Sequence, residues 1–168
     1  VELTVPFVQQ HHKTCAPATL TSIARFWTMP AEHVEVAEEI AYYGTPAHAE
    51  RKWAQDHGWH TKSFTVTWDA VVTLIDAGIP FTLATVEVTS AHLQAIVGYD
   101  TNRRTLIVRD PGERHKVEMS FDLMLERYRS TGPRGMALVP VAQKEKLDAI
   151  TLPDQAMYEH LYRFDLAL

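Results

Sequence analysis

The 168-residue chain holds a single cysteine, Cys15. One thiol cannot close a disulfide within the chain, so the fold must be held by burial, and a chain of this length is enough for one domain with a proper core. Long apolar runs are missing as well. None approaches the ~20 residues that a membrane-spanning helix needs, so no membrane span is expected. Positive charge is in deficit, with 16 Lys and Arg against 21 Asp and Glu and a formal net charge of −5. No Lys/Arg-rich stripe offsets that deficit, which argues against a nucleic-acid partner. No signal-peptide pattern is found, and the first residue is Val1 rather than methionine; the expectation is a piece of a longer protein. The remaining composition, 46% hydrophobic and 22% charged, is that of an ordinary globular chain.

Periodicity divides this chain into a helical third and a sheet-rich remainder. Val1 to Val8 alternates loosely around Pro6 and reads as extended. Helices are expected over about 15–28, from Ala31 to Tyr43 with Gly44 closing it, and from Pro46 to Gly58. Trp59 to Val66 then reads as a strand, Thr67 caps a helix from Trp68 to Ala77, and Ile79 to Val88 is a second strand. Ala91–Tyr99 and Arg104–Arg109 form a hairpin around Asp100-Thr101-Asn102, and Asp110-Pro111-Gly112 makes a strong turn. A short strand at His115–Met119, a helix capped by Ser120 and a strand at Gly135–Val141 complete the domain. Helices first and an antiparallel sheet after make this an α+β domain over 1–142. Residues 143–152 read as a linker. Ala156, Leu161, Phe164 and Leu168 suggest a last helix, the start of an adjoining helical-repeat domain that would bind peptide or protein.

Cys15 sits where a helix begins. Leu20, Ile23, Ala24 and Trp27 fall on one face after it, Thr14 stands at the cap position, and Pro17 is tolerated in a first turn. Free N–H groups and the dipole at a helix start favour a thiolate, lowering a cysteine pKa from about 8.5 into roughly the 3.5–7.5 range. A buried lone cysteine is also simply a small hydrophobe, so the base that would take its proton decides the matter.

Nine histidines are available. His11 and His12 lie just before the helix, and His33, His48 and His57 have polar neighbours and read as surface residues. His92 stands apart, at the opening of the apolar strand Leu93-Gln94-Ala95-Ile96-Val97. A hairpin centred on Thr101 sets His92 directly opposite Asp110, at the roughly 4.5–5.5 Å Cβ separation where imidazole and carboxylate can bond. Such a carboxylate orients the imidazole and stabilises its cation. A register slip of one residue would separate them, and Asp110 would then only open its turn. Gln9, six residues before Cys15, has an amide that could help bind an oxyanion, with Gln10 the neighbouring alternative.

Gln9-x5-Cys15-Ala16-Pro17-Ala18, Ala91-His92 leading into Ile96-Val97-Gly98-Tyr99-Asp100, and Asp110-Pro111 together resemble the double-glycine (bacteriocin-processing) peptidases and their wider relatives, which are papain-like cysteine peptidases. The resemblance spans roughly residues 5–140. It implies a papain-like fold with the cysteine on the first helix, histidine and aspartate from the sheet, and glutamine at the oxyanion hole. Ala16 replaces the family's usual glycine and slightly narrows the approach to the thiol. The double-glycine preference is not carried over, because nothing in the chain shows the transporter to which the best-known members are fused.

The expectation is hydrolysis of a peptide bond in a peptide or protein substrate by Cys15, His92, Asp110 and Gln9, without a cofactor. Its alternatives are a papain-like module that holds a peptide without cutting it, and an acyltransferase or transpeptidase on the same triad. A metal site from His11, His12 and Cys15 is weaker still, since these residues straddle a helix start and no second Cys/His pair has zinc-site spacing. Trp27, Trp53, Trp59 and Trp68 read as core.

Overall fold

The computed structural model describes residues 1–41 and 44–168. The chain begins extended and enters α1 (Cys15–Phe26), α2 (His33–Ile40) and α3 (Ala47–Asp56). It then runs through β1 (Trp59–Thr65), α4 (Trp68–Asp76), β2 (Phe81–Val86), β3 (Ala91–Asp100), β4 (Thr105–Arg109) and β5 (Val117–Ser120). α5 (Phe121–Tyr128), β6 (Arg134–Pro140), α6 (Lys144–Asp148) and α7 (Gln155–Ala167) follow. The helix read over Ala31–Tyr43 is described as far as α2 and Ala41; Tyr42 and Tyr43 lie outside the described residues. None of the described helices is long and apolar enough to cross a membrane.

Six strands form one sheet in the order β1-β6-β2-β3-β4-β5, and every neighbouring pair is antiparallel. Helices precede the sheet in sequence, and the class is α+β. The sheet has a core on each face. On one side Leu20, Ile23 and Ala24 of α1, Val36 and Ile40 of α2 and Trp53 and Ala54 of α3 pack on Ala95, Val97, Met136 and Leu138. On the other, Ala70, Val71, Leu74 and Ile75 of α4 join Phe121 and Met124 of α5 over Phe64, Phe81, Ile96 and Leu106. That is why Leu93 to Tyr99 is a continuous buried run rather than an alternating one. Trp53 and Trp59 are core residues, and Trp27 and Trp68 pack half-buried against it.

α1 departs from the one-sided helix its spacing predicts. Every residue from Ala16 to Ala24 is buried, including Thr19, Thr21 and Ser22. Two of these hydroxyls are satisfied locally: Thr21 Oγ1 donates to Pro17 O (2.8 Å) and Thr19 Oγ1 to Leu93 O on β3 (3.0 Å). Small polar side chains with internal partners let the helix lie close on the sheet without orphaned groups. Thr67 and Ser120 cap α4 and α5 as their sequences indicate, accepting from Ala70 N and Leu123 N. Thr14 occupies the cap position of α1 but makes no capping bond. Its hydroxyl is taken by the His11 backbone and by His33 Nε2 (2.9 Å). His33, read as a surface residue, is buried by this contact and by stacking on His11.

Residues 143–152 are seated rather than hanging as the linker their polar composition suggested. Leu147, Ile150 and Leu152 are buried in the second core, and Lys62 Nζ donates to Leu147 O (2.9 Å) and Ile150 O (2.7 Å). α7 lies on β1 and α3, burying Tyr158 and Tyr162. Tyr162 OH donates to Gln55 Oε1 (3.0 Å), the Arg51 guanidinium stands 4.2 Å from the Tyr162 ring centroid, and Arg51 pairs with Glu159. Leu147→Ala is expected to destabilise the fold by about 2–5 kcal/mol through the lost methyl groups and the cavity left behind. Urea unfolding of both proteins measures this; an unchanged midpoint would mean that α6 is not part of the cooperative unit.

Candidate active site

Cys15 is the first residue of α1, at the point where the chain emerges from a turn with Lys13 in the left-handed region (φ 58°). The thiol is half-buried and meets the open face of the sheet at the start of β3. The Thr19–Leu93 bond, one helical turn below, pins α1 to the residue next to His92. The nucleophile candidate and the base candidate are thus held by two elements joined through a buried hydrogen bond.

The hairpin that brings Asp110 to His92 is not the one the sequence predicts. Asp100 pairs with Thr105, Tyr99 with Leu106 and Gly98 with Ile107, whereas Ile96 pairs with Val108 and Ala95 with Arg109. A bulge at Val97 separates the two registers. Continued past Arg109, this ladder sets Gln94 rather than His92 level with Asp110. His92 is then a diagonal neighbour on the same face, still within reach of a long side chain. Without the bulge the parity would change and the two side chains would lie on opposite faces. The contact is made: His92 Nε2 donates to Asp110 Oδ2 at 2.7 Å, and Gly112 N donates to Asp110 Oδ1 at 2.7 Å.

The electrostatics follow from this arrangement. The hydrogen bond to Asp110, reinforced by the interaction with Cys15, overcomes burial and holds the His92 imidazole protonated up to about 9. Burial opposes ionisation of the Cys15 thiol, but the interaction with His92 and the Leu93 and Ala16 backbone bring it below its ordinary value. Burial likewise opposes the Asp110 charge, yet bonds from His92 and Gly112 N hold its carboxyl below the usual range. All three shifts favour a thiolate–imidazolium–carboxylate row.

Gln9 is exposed on the extended segment before α1. Gln10 is half-buried: its N–H donates to Pro111 O (2.9 Å), and its side-chain amide lies beside Gly112. His11 and His12 are exposed, with the His11 ring against His33. A cavity of about 790 Å³ opens at Cys15, Ala16 and His92 and runs between α3 and the sheet, past Thr45, Glu50, Met136 and Arg134, to Tyr158 and Leu161 of α7. Its far lining was missed in the sequence. Burial pushes the Glu50 carboxyl up to about 8, against the pull of Arg134. One signal was available: Glu50, Trp53 and Ala54 share a face of α3, so a carboxylate sits in an otherwise apolar stripe.

The architecture has clear structural counterparts. A Bacillus anthracis protein described as C39-like peptidase superposes with a TM-score of 0.71 at 16% identity, covering 83% of this chain and 96% of that one. The peptidase domain of Streptococcus ComA, a bifunctional ABC transporter of a quorum-sensing pathway, gives 0.65 at 23% identity over 81% of this chain and 98% of that domain. A double-glycine-motif protease from an AMS/PCAT transporter, solved with its leader peptide, gives 0.63 at 14% identity, with 83% and 94% covered. No curated protein sequence matches the chain. These likenesses establish the fold, and the model of the Peptidase_C39 like family matches residues 2–136. The family and the fold together support a peptidase type of function: the chain belongs to the Peptidase_C39 like family.

Proposed function

We propose that the chain is a cysteine peptidase that hydrolyses a peptide bond through an acyl-enzyme on Cys15. The observation that carries the reading is the position of one imidazole, bonded to Asp110 on one side and facing the Cys15 sulfur on the other, at the mouth of an open cavity. In this reading the Cys15 thiolate attacks the carbonyl carbon. The imidazolium of His92 gives its proton to the departing amine, and neutral His92 then takes a proton from the water that releases the acyl group. Asp110 holds the ring with Nε2 engaged, which leaves Nδ1 for the sulfur, and it stabilises the ring's charge between steps. Gln9 donates to the oxyanion together with a backbone N–H at the start of α1. The substrate is a peptide or a protein segment laid along the cavity. α7 leaves Met157, Phe164, Leu166 and Leu168 exposed, which supports the further reading that an adjoining helical unit packs there.

Cys15→Ala is expected to abolish cleavage while leaving the unfolding midpoint nearly unchanged, since only a half-buried sulfur is lost. A variant that still cleaved a peptide library would sink the proposal. Added amine nucleophile separates hydrolysis from acyl transfer by the product formed, and stoichiometric peptide binding without any product would identify a holding module instead. Gln9→Ala should lower kcat by about 10²–10³, the cost of one oxyanion donor, whereas Gln10→Ala, whose amide lies beside Gly112, should not match that loss.

The pH behaviour has a definite sign. With His92 charged up to about 9, the thiolate–imidazolium pair persists on the alkaline side until pH rises through that value. Asp110→Asn removes the largest support for the charge, so the His92 ring titrates at lower pH, which its ring-proton NMR shifts report directly. His92→Ala removes a main support of the Cys15 thiolate, moving the pH profile of iodoacetamide alkylation upward. An alkylation profile identical in wild type and His92→Ala would mean that the two groups are not coupled.

A further inference from the structure

We infer that the α3–α7 end of the cavity is a subsite for a cationic substrate side chain, lysine or arginine, with Glu50 as its specificity-determining acceptor. The inference rests on the peptidase reading only in using the same cavity.

Glu50 is 9% exposed and lines the cavity that opens at Cys15. Among the described residues its carboxyl enters no ion pair and no side-chain hydrogen bond. A buried carboxyl without a partner is costly to keep and is characteristically satisfied by something that binds. A second group on the same wall is in the same condition: Thr45 Oγ1 is buried and has no hydrogen-bond partner among the described residues. Both oxygens can accept. An ammonium brings three donors and a guanidinium five, with no acceptor to clash, so either cation has donors enough for both groups.

The other charged groups lining the cavity are Arg134, Lys13 and the Cys15–His92 pair. Arg134 is half-exposed, and its guanidinium already rests 5.2 Å from the Tyr158 ring centroid, where the π face partners it. Lys13 is exposed, and His92 is engaged with Asp110. Among the described residues the Glu50 carboxyl is therefore the buried charge-bearing group of this wall with no hydrogen-bond or ion-pair partner, drawn only by the charge of Arg134. Tyr158 and Leu161, which close this corner, come from α7, beyond the residues matched by the family model, so this wall is an addition to the domain that the family describes.

The test needs no turnover. Cys15 is labelled with aminoethyl, methyl and sulfonatoethyl methanethiosulfonates: the thiolate attacks the sulfenyl sulfur, the new S–S bond forms, and methanesulfinate leaves with the electron pair. At about pH 8.5, where a Glu50 carboxyl pushed up to about 8 is largely ionised, the aminoethyl-to-methyl rate ratio is expected to fall about five- to tenfold in Glu50→Gln, the size of one screened charge interaction a few ångströms from the probe, and the difference should fade as the pH is lowered below 8. Thr45→Val, which keeps the carboxyl, should lower the same ratio by a smaller factor, and it carries the test if Glu50→Gln folds poorly. A ratio unchanged in these variants, or a wild type labelled fastest by the sulfonatoethyl probe, overturns the inference and points to Arg134 as the selecting group. Peptides differing at one position as lysine, norleucine or glutamate form the second arm. A lysine preference in kcat/KM that Glu50→Gln removes supports the subsite. Charge-selective labelling without cleavage of any peptide keeps the subsite and discards the peptidase reading.

Discussion

The imidazole of His92 is hydrogen-bonded to Asp110 and stands beside the Cys15 thiol, and most of the fold can be read as the means of holding it there. Three constraints meet on this ring. The bulge at Val97 puts it on the same face as Asp110; the Thr19–Leu93 hydrogen bond sets the distance between α1 and β3; the turn after β4 fixes the carboxylate through Gly112 N. The bulge in turn is covered by the first residues of the chain. Leu3 N donates to Val97 O (2.7 Å), and Glu2 bridges to Gly98. A Cβ on Gly98 would come within 2.6 Å of Val1 O, so only glycine admits that segment. A break in a β-ladder is thus stabilised from outside the ladder, and its consequence is felt at the site.

The same economy explains why α1 is buried almost all round. α1 is wedged between the sheet and α2, and the Thr19 and Thr21 hydroxyls are bonded internally, so the helix that carries Cys15 is held against rocking. Cys15, its first residue, brings the thiol to the cavity mouth, with Ala16 beside it. Its cap is correspondingly unusual: Thr14 spends its hydroxyl on His11 and His33 and leaves the first N–H groups of the helix to the site. The second core, under α4, α5 and α6, lies across the sheet from the cavity and receives Ile96 beside the bulge, Leu3 and Trp27. It makes the sheet rigid by burying the far face of β2, β3 and β4.

Much of this was legible in the residues. Caps at Thr67 and Ser120, the presence of a hairpin between β3 and β4 and the helix opening at Cys15 are local features, written in the few residues that make them. Cys15, His92 and Asp110 could be singled out because each residue type sat at an element boundary where its chemistry is accessible. The resemblance to double-glycine peptidases rested on those same residues. Other features could not be read. The predicted direct facing of His92 and Asp110 centred the turn on Thr101, whereas Asp100 pairs with Thr105 and the turn centres between Asn102 and Arg103; the bulge that returns the two side chains to one face depends on packing by residues about a hundred positions upstream in the chain. The polar run at 143–152 looked like a linker because its only large apolar residues are Leu147, Ile150 and Leu152, and their burial is visible only once β1 and β6 supply the floor.

By itself, then, the sequence determined the α+β class, the helix start that exposes one thiol, and the residue types able to work beside it, because these follow from neighbours along the chain. Tertiary structure alone decided which strand register delivers the imidazole, how the helix and sheet are pinned together, and that Glu50 of α3 shares a cavity with Tyr158 of α7. Those depend on contacts between residues far apart in sequence, where a shift of one residue or one ångström changes the chemistry and leaves the local pattern untouched.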